Sequence, residues 1–272
     1  MTGCVEGERL MTVYGAKPGK RQAERVHFLG LRYDVLEEQQ TVDLLLQHPA
    51  GDRFAFVVTP NADHLVRIDQ SGAEVRQAYL DAFLCLNDSR IVGFQAKVLG
   101  VGLTTVPGAD LVRSLFHSPD FDPNAAILIV GGTEDLFNSL VAKFGLKNAK
   151  HFNAPMGLLR DKEKFDATVQ AVETSAARFT FLAVGSPQQE LIAHAIAKRG
   201  KATGVGLCIG AAIEFLVYPQ RRAPRWMSRM GLEWFFRLVR EPRRLWRRYL
   251  VDSPKLFQLV YRQWRTGARP HD

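Results

Sequence analysis

Several short polar turns, each following an apolar run, carry the residue types that a group-transfer reaction needs. "LCLNDS" ends in Asp88, a carboxylate placed where it can take the proton of an attacking hydroxyl. The same residue is suited to shaping a turn. "VVTPNADH" supplies Thr59 and Asn61, a hydroxyl and an amide able to bond a ligand at a helix start, although Asn61 is also a favoured helix N-cap. "LIVGGTEDLF" sets Gly131 and Gly132 between a strand and a helix, so that backbone amides can approach a phosphate. "AVGSPQQEL" opens a helix with Gln189, which can bond a sugar hydroxyl or a uracil edge. Ser186 and Gln189 also have the spacing of a capping box, and the two roles are compatible.

Other chemistries lack their residues. No GxGxxG or Walker sequence is present, since "GVGLCIG" has the wrong spacing and no GK[ST] occurs. The "DFD" of Asp120 to Asp122 has the form of a metal-binding pair of carboxylates, but "HSPDFDPN" around it reads as a solvated turn. The seven histidines and three cysteines (Cys4, Cys85, Cys208) are dispersed, with neither metal-ligand spacing nor a disulfide framework. No metal and no cofactor are expected. There is neither an apolar signal region nor a run of about eighteen apolar residues, so the expectation is a reducing, cytoplasmic compartment.

The elements that must hold these turns follow from periodicity. Apolar runs in "RFAFVVTPN", "LCLNDSRIVGF", "AAILIVGG", "FTFLAVGS" and "GVGLCIG" alternate with helix-length amphipathic stretches such as "ADHLVRIDQSGAEVRQAYLDAF". That alternation predicts an α/β fold of βαβ units around a parallel sheet. Ligands in such sheets sit beyond the carboxyl ends of the strands, where these turns fall. Residues 1–25 read as a loose extension, and "RVHFLGLRYDV" as a short strand and turn.

Pro219 and Pro224 mark a boundary near residue 218, beyond which the chain reads as helices. Charge changes there too. Residues 220–272 hold fourteen of the 36 Lys and Arg but four of the 28 Asp and Glu, a balance of +10 against −2 for the rest. All four tryptophans lie in the same stretch. On a helical projection Arg243, Arg244, Arg247 and Arg248 share an arc of about 140°, opposite Leu245, Trp246, Tyr249 and Leu250. With Phe236 upstream, this pattern suits a helix lying on an anionic membrane surface. Packing onto the body or contact with nucleic acid are the other readings. The body offers no basic stripe for nucleic acid.

Taken in order, "VVTPNADHLV", "LNDSRIVGFQAKVLG", "VPGADLV", "ILIVGG", "AVGSPQQE" and "RRAPRWMSRMGLEWFFRLVREPRRLWRRYL" resemble the WecG/TagA/CpsF bacterial glycosyltransferases, glycosyltransferase family 26, from about Val26 to Leu250. The resemblance implies a Rossmann-like catalytic domain (26–218) and a membrane-associating helical appendage (219–272). It implies transfer, with inversion, from a UDP-sugar to a polyprenyl-diphosphate-linked saccharide at the inner face of the cytoplasmic membrane, with no obligatory metal. The sugar is N-acetylmannosamine, its uronic acid or glucose, in surface or exopolysaccharide synthesis. Asp88 matches the proposed base, Thr59 and Asn61 the TPN residues, and Gln189 the glutamine of "PKQE". The appendage would close over the site and bring arginines to the donor diphosphate, of which Arg221, Arg222 and Arg225 are the candidates. Two departures stand out: Asn87 and Ser89 replace the Pro and Gly flanking the aspartate, and Glu214 replaces an Asp. A homo-oligomer is compatible with this reading. The alternative is a non-catalytic Rossmann-type protein that docks a partner or nucleic acid through its basic helices.

Overall fold

Short apolar runs, too short to make helices, pair side by side and, except at the β6 edge, bury their side chains on both faces. In the computed structural model they form a six-stranded parallel sheet: β3 (Ala55–Val58), β4 (Leu84–Cys85), β5 (Ile127–Val130), β6 (Ala149–Phe152), β7 (Phe179–Leu182) and β8 (Val205–Cys208), in the order β4-β3-β8-β7-β5-β6. The structure describes residues 24–224, 227, 230, 232–247 and 254–266, and among these not the side chains of Glu233, Arg237, Arg244, Leu245 and Arg247.

Alternation along the strands divides the interior into two layers. Phe56, Val58, Leu128, Val130 and Cys208 face one layer, with α2 (Ala62–Gln70), α3 (Ala73–Leu80), α4 (Arg90–Val98), α7 (Lys162–Ser175) and α8 (Gln188–Arg199) over them. Val57, Ile127, Ile129, Phe179, Phe181 and Leu207 face the other, under α1 (Glu38–Gln47), α5 (Gly108–His117), α6 (Glu134–Phe144) and α9 (Ala212–Val217). The result is the expected α/β sandwich of Rossmann-like type. One expected helix is two: the stretch after Asn61 breaks at Ser71 and Gly72, both extended.

β1 (Glu24–Phe28) and β2 (Leu31–Val35) form an antiparallel hairpin. Leu29 and Gly30 make its two-residue turn with φ of 49° and 75°, the left-handed pair whose twist matches paired strands. Asp34 carries the hairpin onto the sheet. It accepts from Arg25 Nε at 2.8 Å and from the Cys85 amide at 2.9 Å. Burial pushes the Asp34 carboxyl above its ordinary range even though Arg25 opposes it.

Beyond residue 218 the chain forms α10 (Glu233–Arg240), α11 (Pro242–Arg247) and α12 (Lys255–Thr266). α12 returns to the body. It packs on α2, buries Leu256 to 2% exposure, pairs Arg262 with Asp69 at 2.7 Å, and accepts the Leu29 amide on Gln263 Oε1 at 2.7 Å. The expected appendage of residues 219–272 is therefore divided: its last helix completes a core layer because one of its faces is apolar enough to be buried. Among the described residues no helix is long and apolar enough to cross a membrane.

The turn into β8 has no room for a side chain. Gly204 has φ +83°, and a Cβ there would stand 2.4 Å from the Ala177 carbonyl oxygen and 2.6 Å from that of Arg178. Gly204→Ala should cost about 2–4 kcal/mol through backbone strain and overlap. A urea titration checks this: the midpoint should fall with the slope unchanged.

Candidate active site

The register of the sheet levels its carboxyl edge. Val58 lies opposite both Cys85 and Cys208, Cys208 opposite Leu182, and Leu182 opposite Val130. The first residues past these positions, Thr59, Leu86, Ile209, Ala183 and Gly131, therefore start their turns at one height. Thr59, Asn61, Asp88, Gly131, Gly132 and Gln189 all lie along this edge. The turn with Asp120 and Asp122 precedes β5 and lies at the opposite end, where Asp122 Oδ1 accepts from the Asn124 amide at 2.9 Å. It is turn chemistry, as its composition indicated. A shallow groove lined by Arg25, Arg32, Phe54 and Leu80 is also at the amino end, away from these residues.

The turns after β3 and β4 are tied together. The Asp88 amide donates to the Pro60 carbonyl at 3.1 Å, and Asp88 Oδ1 accepts from the Gly108 amide, the first of α5, at 2.8 Å. Gly108 approaches Thr59 closely: a Cβ there would lie 2.7 Å from Thr59 Oγ1, and the threonine side chain would have to shift. Thr59, at 8% exposure, thus lies against the same backbone that holds the Asp88 carboxylate. Asn61 acts as the N-cap of α2, its Oδ1 accepting from the amides of Asp63 at 3.1 Å and His64 at 3.2 Å.

The residues flanking Asp88 account for its turn without the Pro and Gly. Asn87 is buried; its Nδ2 donates to Thr105 Oγ1 at 3.0 Å and to the Ser89 carbonyl at 3.1 Å, while its Oδ1 accepts the Ser89 amide at 3.0 Å. Ser89 has ordinary extended backbone and caps α4 through its hydroxyl, accepting the Val92 amide at 3.3 Å.

Gln189 points inward. It is 2% exposed, its Oε1 accepts the Gly210 amide at 2.9 Å, and its Nε2 donates to Glu190 Oε1 at 2.9 Å. In this arrangement it holds the β8 turn against α8. The capping box expected of Ser186 is absent: Pro187 is the N-cap residue, with no side-chain bond, and Ser186 Oγ lies 3.2 Å from the buried Tyr79 hydroxyl. Glu190 is fully buried, and desolvation pushes its carboxyl above the ordinary range despite the Gln189 amide. Gly131 and Gly132 (φ +89° and +76°) turn the chain into α6, which Thr133 caps. A Cβ on Gly131 would meet the Ala183 carbonyl oxygen at 3.0 Å. They stand three strands from Thr59, about 14 Å at the usual strand spacing.

Two of the three candidate arginines enter from α9's end. Arg222 forks onto Asp110 in the first turn of α5, at 2.7 and 2.9 Å. Only Ala109 separates that aspartate from the Gly108 amide that holds Asp88. Burial raises the Asp110 carboxyl, but Arg222, with help from Arg113 and Arg90, brings it below its ordinary value. Arg221 is 54% exposed, bonded to Glu214 and set over the Tyr218 ring at 4.9 Å. Arg225 lies outside the described residues.

Of the membrane candidates, Phe236 is half-buried with the Arg240 guanidinium 5.1 Å from its ring centre. Arg243 is exposed and Trp246 is 50% exposed on α11. Arg244, Leu245 and Arg247 share that helix, and Arg248 and Tyr249 lie outside the described residues. Sequence reasoning missed Gly108 and Asp110. "VPGADLV" carries both, but only the fold shows that they meet Asp88 and Arg222.

A sequence model of the family described as glycosyl transferase WecG/TagA/CpsF matches residues 26–270. Two curated relatives carry the name N-acetylglucosaminyldiphosphoundecaprenol N-acetyl-beta-D-mannosaminyltransferase. One, from Bacillus spizizenii strain W23, is 26% identical over 224 residues, 80% of this chain and 82% of the relative. The other, from Bacillus subtilis strain 168, is 32% identical over 140 residues, 50% of this chain and 52% of the relative.

Two outcomes test the electrostatics. Asp110→Asn should cost about 1–2 kcal/mol and speed trypsin cleavage after Arg222, because the forked pair becomes a single weak contact. Asp110's folded pKa is depressed, so the wild-type advantage is complete above its ordinary value of 3.8 and is lost as pH falls below it. Glu190 behaves in the opposite sense. Its folded pKa is raised, so wild-type stability declines as pH rises from the ordinary 4.5 through the folded value. The melting temperature of Glu190→Gln should exceed wild type by a margin that widens with pH over that range.

Proposed function

The chain belongs to the WecG/TagA/CpsF family of glycosyl transferases, and from that membership we propose that it moves N-acetylmannosamine from its UDP derivative to a polyprenyl-diphosphate-linked N-acetylglucosamine. The acceptor and the sugar follow the names of the two Bacillus relatives. Its place would be peripheral, at the inner face of the cytoplasmic membrane, in the assembly of a cell-envelope or exopolysaccharide. The alternative of a non-catalytic binding protein gains nothing from this kinship.

One observation carries the reading: a carboxylate, Asp88, fixed by the Gly108 amide at the carboxyl edge of a parallel sheet, beside Thr59. In the proposed step an acceptor hydroxyl oxygen attacks the anomeric carbon from the face opposite the nucleotide. Its proton passes to Asp88, the bond from that carbon to the diphosphate oxygen breaks, and the electron pair leaves with UDP. The anomeric configuration inverts. Because one carboxylate oxygen is already held by a backbone donor, the group is oriented before substrate arrives, which is the condition for efficient proton transfer.

Negative charge then gathers on the departing diphosphate. Arg221, exposed at the end of α9, is suited to receive it, since a guanidinium fork matches phosphate oxygens. Arg222 serves as the anchor that keeps the start of the appendage beside α5. Gly131 and Gly132 would line the nucleotide end, and Gln189 acts as a positioning residue behind the β8 turn. We assign no metal to the reaction.

The test is a panel of UDP-sugars with a short-chain polyprenyl-diphosphate N-acetylglucosamine, read as UDP release. The N-acetylmannosamine donor should give the highest kcat/KM. Asp88→Asn should lower kcat by about 10²- to 10⁴-fold, the range of a lost general base. Turnover by Asp88→Asn at the native rate would remove the base assignment.

A further inference from the structure

The helix that begins immediately after Asp88 is amphipathic in an unusual sense. The inner face of α4 is well seated: Val92 and Ala96 are fully buried, and Gly93 lies so close to the 101–106 loop that a Cβ would meet Thr105 Oγ1 at 2.7 Å. Its outer face is apolar as well. Ile91, Phe94 and Val98 are 37%, 68% and 67% exposed, and spacings of three and four residues set them in one line. A helix on a water-facing surface normally puts polar residues there. The only charged residues of "RIVGFQAKV" are Arg90 and Lys97, both exposed.

We propose that this face of α4 is a second lipid-contacting surface, distinct from the C-terminal helices, that seats the candidate base directly on an anionic bilayer. An apolar line flanked by cations, with no carboxylate in the helix, complements a leaflet with anionic headgroups over an apolar interior. A second copy of the chain would bring the same cations to the contact and be repelled. The position within the fold agrees. Val92 and Ala96 pack into the same core layer as Leu256 of α12. α12 carries its own exposed line, Phe257, Tyr261 and Trp264, at 63%, 57% and 63%. Two apolar and basic helix faces therefore rise from one layer of the sandwich.

The geometry gives the contact a purpose, which rests on the transferase reading. Asp88 lies just ahead of the Ser89 cap and three residues from Ile91, a span of at most about 10 Å even when extended. A docked α4 thus holds the carboxylate close to the surface at which a lipid-linked diphosphate presents its sugar.

Vesicle flotation of the full-length protein tests the surface without requiring any sugar transfer. With phosphatidylglycerol-rich vesicles, F94S/V98S should partition about tenfold more weakly than wild type, through lost apolar burial. R90Q/K97Q should bind more weakly at low salt and converge with wild type at high salt. The melting temperature of F94S/V98S should be unchanged, because neither side chain belongs to a core layer. With a short-chain acceptor and no vesicles, F94S/V98S should turn over within about twofold of wild type. Vesicle binding at the wild-type level by folded F94S/V98S overturns the proposal. So does a change in sedimentation mass with vesicle binding unaltered, which would make the face a contact between copies. A wild-type protein inactive with every donor defeats the transferase reading instead, and leaves the flotation result to decide the surface by itself.

Discussion

Val58 is paired on both sides, with Cys85 and with Cys208, and the strand-to-strand register that this imposes makes a site out of turns distant in sequence. Parallel strands cannot slip by one residue without exchanging the two buried layers, so the height of their carboxyl ends is fixed by core packing. Thr59, Asp88 and Gly108 come together because the sheet brings their turns to one level. The hydrogen bond from Gly108 to Asp88 then sets the finer geometry. It uses the amide at the start of α5, which would otherwise need another partner.

The second half of that arrangement reaches the basic region. Asp110, in the first turn of α5, holds Arg222, so the start of that helix connects the candidate base to the start of the appendage. The appendage is not uniform. α10 and α11 display Phe235, Val239 and Trp246 to solvent, while α12 buries Leu256 and closes a core layer. A stretch with one composition thus performs two tasks, divided according to whether an apolar face meets the body.

Much of this was legible in sequence because strand–turn–helix units state their own boundaries. "ILIVGGTEDLF" folds as it reads, as do the turns bearing Asp88 and Asn61, whereas "RVHFLGLRYDV" reads as one strand and a turn and folds as two paired strands. β6 was not legible, because "AKHF" at the sheet edge buries no residue fully and so shows no apolar run. The break between α2 and α3 was hidden by helical spacing that continues across Ser71 and Gly72. Gln189 looked like a ligand residue because sequence places it at a strand end but does not say which way it turns. Gly108 and Asp110 were silent for the same reason: their partners lie 20 and 112 residues away. The outer face of α4 was read as the continuation of an apolar strand, since burial and exposure leave identical marks in a run such as "RIVGF".

The contact between Leu29 and Gln263 spans 234 positions and joins the first described hairpin to the last described helix. A chain made from its amino end at roughly 5–20 residues per second leaves that hairpin waiting about 10–50 s for its partner. Through that interval one sandwich layer has no lid, and Leu256's berth stands open to water. The nascent protein is thus exposed in just the region that α12 will later seal, which makes the arrival of that helix, and not collapse of the sheet, the event that closes this layer.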